Sequence, residues 1–266
     1  MMLDGILEDI QVLTTTELDL LNEIRGRNRL KAVCEKHAQR FDLSALKFVR
    51  IHDELSSSST LVSEFVDAPS LDELLDNDAL GYERLLALFR IHGFFMFVEG
   101  VFHGDLHPGN ALVRGDDFYF IDTAYIGTVS DRLRQGLFAF FEALTRYDYR
   151  LCIDALHAMS SVSLDTATKR EFERGFLDLY RDFKGATVSQ ISLTTKMMQT
   201  IKLAVQAGMS FERGMFGIIR SLMYLDGMVL RCNPRAVLLE DMRPSIEEML
   251  HVAENPEERS VAVRAG

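Results

Sequence analysis

The chain has no tryptophan, five prolines and three cysteines in 266 residues, and each scarcity narrows the possibilities. Cys34, Cys152 and Cys232 lie far apart without CxxC spacing. A disulfide framework is therefore not expected, and buried reduced thiols in an intracellular protein are the default. A basic domain is also missing: the formal net charge is −11, which argues against a nucleic-acid binder. The most apolar run, residues 85–102, is broken by Arg90, His92 and Glu99. It falls short of the roughly 18 uninterrupted apolar residues of a membrane span. The first thirteen residues carry Asp4, Glu8 and Asp9, unlike a secretory signal. The expected location is cytoplasmic, with any membrane contact peripheral. No internal repeat is visible. What remains, 47% hydrophobic and 26% charged, is the composition of a soluble globular protein, long enough for one large domain or two lobes.

The most informative stretch is residues 101–127, VFHGDLHPGNALVRGDDFYFIDTAYIG. It packs His103, Asp105, His107, Asn110 and Asp122 into a short span. Turn signals, a short apolar run, a polar Arg-Gly-Asp-Asp turn and a second run predict a strand, a tight turn and a strand. A hairpin returns its exit to its entry, so Asp105, Asn110 and Asp122 are expected to converge. Two carboxylates and an amide oxygen suit a hard cation such as magnesium, completed by water or substrate phosphates. Asp105 and Asn110 stand as D-x-x-x-x-N before the hairpin and its Asp, the order of a kinase catalytic loop and metal-binding aspartate. The plain alternative is a polar β-turn with ordinary Asp and Asn.

The run HGDLHPGN…FIDTAYIG resembles the UbiB/AarF family of atypical protein-kinase-like proteins. Its looser HGD-x-H-x-x-N pattern is also similar to aminoglycoside-phosphotransferase-like small-molecule kinases. The resemblance, over about residues 3–250, implies ATP and magnesium as cofactors, Asp105 and His103 as catalytic groups, and Asn110 and Asp122 as metal ligands. It further implies a link to ubiquinone or isoprenoid-lipid metabolism.

Earlier in the chain, residues 2–13 show helical spacing of Leu3, Ile6, Ile10 and Leu13. Thr16 and Asp19 form a candidate capping box for a helix to about His37, on which Asp19 and Glu23 would share a face. This ELDLLNE stretch resembles the family's E-x-D-x-x-x-E segment. On that match Glu17 and Asp19 face the nucleotide, and Glu23 is the helix-C glutamate that pairs with an ATP-binding lysine. The alternative is an acidic first turn favoured by the macrodipole. The same helix turns basic from Arg25 to Arg40: a solvated face, or a contact for anionic lipid head groups or an acidic partner. Residues 46–52 and 60–66 predict an antiparallel strand pair. The segment LVSEFVDAPSLDELL is similar to the family's hinge, which implies that the backbone of Glu64, Phe65 and Val66 holds adenine. Ser70 with Glu73 caps the next helix, and residues 84–99 form an apolar helix whose phenylalanines are core. After Gly127 the chain is helical, with segments from Ser130, over 149–159, and near 166–184, 189–207, 211–231 and 243–253. Seven methionines between 197 and 242 are read as core filler, with a lipid-tail groove as the alternative.

The expected fold is α+β: a protein-kinase-like fold with a truncated N-lobe (residues 1–66, helix C and two strands). A complete, mostly helical C-lobe (67–254) and a frayed tail (255–266) follow. A glycine-rich loop and a strand-borne lysine would precede helix C in an ordinary kinase. No Lys or Arg precedes Glu23 here, and the family's Lys-x-Gly-Gln segment is absent. Asp122 is followed by Thr123-Ala124 in place of Phe-Gly, which removes a glycine suited to positive φ. Three readings follow: a UbiB-type ATP- and magnesium-dependent kinase or ATPase; a pseudokinase or split module completed by a separately encoded N-lobe; and an aminoglycoside-phosphotransferase-like kinase. The expected partners are a nucleotide and, by resemblance, an isoprenoid lipid or membrane surface.

Overall fold

The structure, a computed structural model, describes residues 14–212 and 214–255. The helix expected over residues 2–13 and the tail beyond 255 lie outside them. Helix α1 (Leu21–His37) starts later than the capping box predicts. Residues 14–17 are helical and the helix breaks at 18–20, so Thr16 lacks the extended backbone that a cap requires. Asp19 sits in the break, and its carboxylate accepts the Leu21 N–H at 3.2 Å.

Strand β1 (Leu46–Phe48) corrects a second expectation. It runs parallel to β4 (Asp117–Phe120), with Leu46 opposite Phe118 and Phe48 opposite Phe120. The antiparallel pairing with residues 60–66 shrinks to one bridge between Ile51 and Ser63. Two backbone hydrogen bonds flank it, His52 N–H to Val62 O at 2.8 Å and Glu64 N–H to Arg50 O at 2.9 Å. Burial explains the choice: β4 offers Phe118, Tyr119 and Phe120, all buried, whereas Phe65 is 89% exposed. Period-two patterning marks a strand but does not choose its neighbour.

Ser70 and Glu73 cap α2 (Leu71–Asp76) reciprocally, as the sequence predicts. Helix α3 (Tyr82–Gly93) then widens into a π-helical turn, Phe94–Glu99. Gly100, at φ 69°, redirects the chain into β2 (Val101–His103). β3 (Ala111–Arg114) and β4 form the expected hairpin through Gly115, also at positive φ. β5 (Ile126–Thr128) returns antiparallel to β2. The segment after residues 60–66 is stitched to this hairpin, since Val113 N–H donates to Pro69 O at 2.9 Å.

The remainder is helical: α4 (Asp131–Thr145), α5 (Tyr149–Met159), α6 (Thr166–Leu179), α7 (Leu193–Gln206), α8 (Met215–Cys232) and α9 (Leu238–Glu254). Ser130, Asp148, Asp165 and Ser192 cap the first four by accepting backbone N–H groups, a local signal written in the sequence. Phe94, Phe95, Met96 and Phe97 are fully buried, and Phe97 stacks on Phe138 with ring centres 5.6 Å apart. The phenylalanines are therefore core. Of the seven methionines, Met197, Met209, Met215, Met228 and Met242 are buried too, and Met198 and Met223 are about half exposed. Among the described residues no helix is long and apolar enough to cross a membrane.

Candidate functional site

The β2–β3 loop is held by its own glycine and histidine. Gly104 N–H donates to Tyr125 O at 3.0 Å. A Cβ at Gly104 would lie 2.1 Å from the Tyr125 ring, so only glycine lets the loop pass beneath it. His103 is 1% exposed, and its Nδ1 accepts the Asp105 N–H at 3.2 Å. Burial, helped by the nearby His92, pushes the His103 pKa down to about 3. The ring is thus neutral and works as an acceptor that shapes the loop.

Asn110, buried at the end of the loop, joins the two aspartates. Its Nδ2 donates to the Asp105 carbonyl at 3.0 Å and to Asp122 Oδ2 at 3.3 Å. With both amide hydrogens used, its Oδ1 is left as an acceptor. Ile121 N–H donates to Asn110 O at 3.0 Å, so the exit of β4 is fixed to the same point. Asp122 follows at φ 60°, a left-handed conformation that Asp tolerates better than most residues. The glycine missing at position 124 is not needed there, because the left-handed turn falls on Asp122. The Asp105 side chain is 20% exposed, with His107 Nε2 at 4.0 Å.

Helix α1 closes the other side. Glu23 Oε2 accepts the Thr123 N–H at 2.6 Å and the Thr123 hydroxyl at 3.2 Å. Burial, reinforced by the Asp122 charge and opposed by the Thr123 hydrogen bonds, pushes Glu23 up to about 7. Asp19 instead pairs with Arg25 at 3.2 Å, so Asp19 and Glu23 do not stack as an i, i+4 pair on one helix. Glu17 lies at the same opening: burial first, then the charges of Asp122 and Asp105, raise its pKa.

An open cleft of about 80 Å3 lies between α1, the Ile51–Ser63 bridge and the end of β4. Glu23, Arg27, Ile51, Leu61, Asp122 and Thr123 are among its walls. The hinge-side segment contributes Leu61 and Ser63 to this wall rather than Glu64, Phe65 or Val66. Glu64 is turned to Arg50, whose N–H donates to its Oε1 at 3.0 Å. Thr123 and Arg27 carry no motif signal in the sequence; only the packing of α1 onto β4 brings them in. Among the described residues no group of three or more His, Cys, Asp or Glu side chains is arranged to hold a metal. A cation here would rest on Asn110 and Asp122 and take its other ligands from water or phosphate oxygens, as magnesium does.

A loop–hairpin–Asp unit with an asparagine bridging two aspartates, backed by a buried helix-borne glutamate and a helical lobe, defines a kinase-like protein. Residues 1–157 match the ABC1 atypical kinase-like domain, and the chain belongs to that family, which includes the UbiB proteins. It is 24% identical over 271 residues to a probable protein kinase UbiB of Shewanella pealeana, covering 97% of this chain and 47% of that protein. It is 22% identical over 251 residues to an uncharacterized protein in the hydrogenase 1 5' region of Clostridium pasteurianum, covering 91% and 45%. The chain spans about half the length of the curated relatives it matches. A solved structure of Rv3197 with erythromycin from Mycobacterium tuberculosis is 13% identical, covers 87% of this chain and 62% of that one, and has a TM-score of 0.45.

Proposed function

We propose that the chain is the catalytic-loop and metal-binding part of an ATP- and magnesium-dependent phosphotransferase or ATPase. The observation that carries this is the Asn110 amide, which donates to the Asp105 backbone and the Asp122 carboxylate at once. Asn110 Oδ1 and the Asp122 carboxylate would then supply the protein oxygens for a divalent ion. Asn110 and Asp122 would hold magnesium, and the ion would neutralise charge on the transferred phosphoryl group. Asp105 would orient the acceptor hydroxyl, with His103 holding the loop that carries it. Glu17 and Asp19 would line the nucleotide side. The backbone of Glu64, Phe65 and Val66, which follows the Ser63 wall of the cleft, would meet the base at its rim. Positioning and electrostatics carry most of phosphoryl transfer, so these are the roles that matter.

The link to ubiquinone or isoprenoid-lipid metabolism rests on the family. A lipid acceptor, or a lipid surface met by the basic face of α1, fits that link. So does an N-lobe segment supplied separately, with helix C and the hinge strands (1–66) forming the back of the small lobe. One observation favours a second reading, a pseudokinase that binds a partner: Glu23 is bonded to Thr123 and not to a lysine among the described residues. Magnesium-dependent binding of a non-hydrolysable ATP analogue tests the first reading. Wild type should bind, and Asp122→Ala should abolish binding. Binding that persists undiminished in Asp122→Ala removes the proposed site.

A further inference from the structure

The family match ends at residue 157, yet the loop that carries Asp105 is held from much further along the chain. Three side chains of α8 touch three successive loop residues. Ser221 Oγ donates to His103 O at 3.1 Å and sits 2.8 Å from His92 Nε2. Arg220 Nη2 donates to Gly104 O at 2.5 Å. Tyr224 faces Asp105, whose charge helps raise its pKa after burial, and its ring meets His107 edge-on with centres 6.0 Å apart. Positions 220, 221 and 224 lie on one face of a helix, and Gly217 on that face packs beneath the Phe102 ring. The far end of α8 is tied down as well: Arg231 pairs with Asp72 at 2.6 Å and with Asp76 at 2.7 Å.

Resting on the phosphotransferase reading above, we infer that Tyr224 and Arg220 are positioning residues that set the orientation of the Asp105 carboxylate toward the acceptor. The chemistry separates their tasks. Arg220 acts on backbone: a guanidinium donating to the Gly104 carbonyl fixes the peptide just before Asp105. Its plane also lies over the Tyr125 ring, 5.8 Å from the centre, so the group that shields the loop is pinned by the same cation. Tyr224 acts on the side chain. A phenol set beside a carboxylate can donate to one of its oxygens, which would restrict rotation of that carboxylate and leave its second oxygen to meet an acceptor hydroxyl. Ser221 serves the interior: between His92 and the His103 carbonyl, it satisfies buried polar groups and makes no contact with Asp105.

The test compares wild type, Tyr224→Phe, Arg220→Gln and Arg220→Lys, with Met223→Ala as control because Met223 is about half exposed on α8. Melting temperature, magnesium-dependent binding of an ATP analogue, and steady-state ATP turnover are measured on each. Tyr224→Phe should lower kcat on the order of 10- to 100-fold, the cost of a misplaced reacting group, with nucleotide Kd and KM within about twofold of wild type. Its melting temperature should stay within about 2 °C, since only an oxygen atom is lost. Arg220→Gln should lower kcat to a similar degree, and Arg220→Lys should restore part of it. Undiminished kcat in Tyr224→Phe beside an active wild type overturns the positioning role alone. A parallel fall in melting temperature and nucleotide affinity overturns it too, as the mark of a merely structural contact. A wild type that turns over no ATP removes the phosphotransferase reading, and the positioning role with it.

Discussion

Gly26→Ala should drive α1 away from the Asp122–Thr123 segment. Gly26 lies one turn after Glu23 against the backbone of Thr123. A Cβ there would sit 1.8 Å from the Thr123 carbonyl oxygen and 3.0 Å from Ile126 Cγ1. A carbon and a carbonyl oxygen in contact stand about 3.3 Å apart, so the helix must retreat by about 1.5 Å. The Glu23–Thr123 hydrogen bond, 2.6 Å in the structure, would then open to about 4 Å and cease to exist. Overpacking costs about 1–3 kcal/mol, and stripping a buried carboxylate of its donors about 1.5–3 kcal/mol. Alanine in a helix interior returns about 1 kcal/mol. The net is a loss of roughly 1.5–5 kcal/mol, a fall in Tm on the order of 3–20 °C for a chain this long. Differential scanning calorimetry reads it directly. Helix propensity alone predicts a change of opposite sign, so the sign decides. A variant that melts at or above the wild-type temperature would refute the close seating of α1 on Thr123.

Other perturbations test the rest of the frame. Glu99 accepts from His37 Nε2 at 2.5 Å and from Lys36 at 2.8 Å, joining the end of α1 to the π-helical turn. The His37 hydrogen bond, then Lys36, hold Glu99 down to about 2. A depressed carboxylate stabilises above its unfolded pKa near 4.5 and loses that contribution as pH falls toward 2. Glu99→Gln should thus cost roughly 2 kcal/mol in urea unfolding at pH 7, after the discount for its partial exposure, and about a quarter of that near pH 2.5; an equal gap at both values would refute the ion pair. His92 is buried against Ser221, and burial lowers its pKa to about 4. A depressed histidine stabilises above its unfolded value of 6.5 and loses that as pH falls through 4. Stability should decline across that window, and His92→Gln should flatten the decline; an unchanged slope would mean that His92 does not report there.

The motif signal survived translation into space because it was local. Asp105, Asn110 and Asp122 belong to one loop and one hairpin, whose turn chemistry returns the chain to its start. Nothing distant is needed to bring Asn110 to Asp122. The Ser70 and Ser130 caps were legible for the same reason, since each accepts an N–H three residues ahead. The start of α1 was misread because Thr16 and Asp19 satisfy the box pattern whether or not the backbone bends there. The partner of β1 was misread because alternation names a strand's faces and not its neighbour.

The sequence by itself determined the helices after Gly127, the Ser70 and Ser130 caps, the phenylalanine core and the loop–hairpin–Asp unit, because these depend on residues a few positions apart. Only the tertiary structure decided that Glu23 bonds Thr123 across a hundred residues. It likewise decided that β1 joins β4, and that Arg220 and Tyr224 of α8 reach the Gly104–Asp105 loop. Such contacts depend on which apolar faces bury each other best, a choice made by the whole packed chain and carried by no single stretch of it.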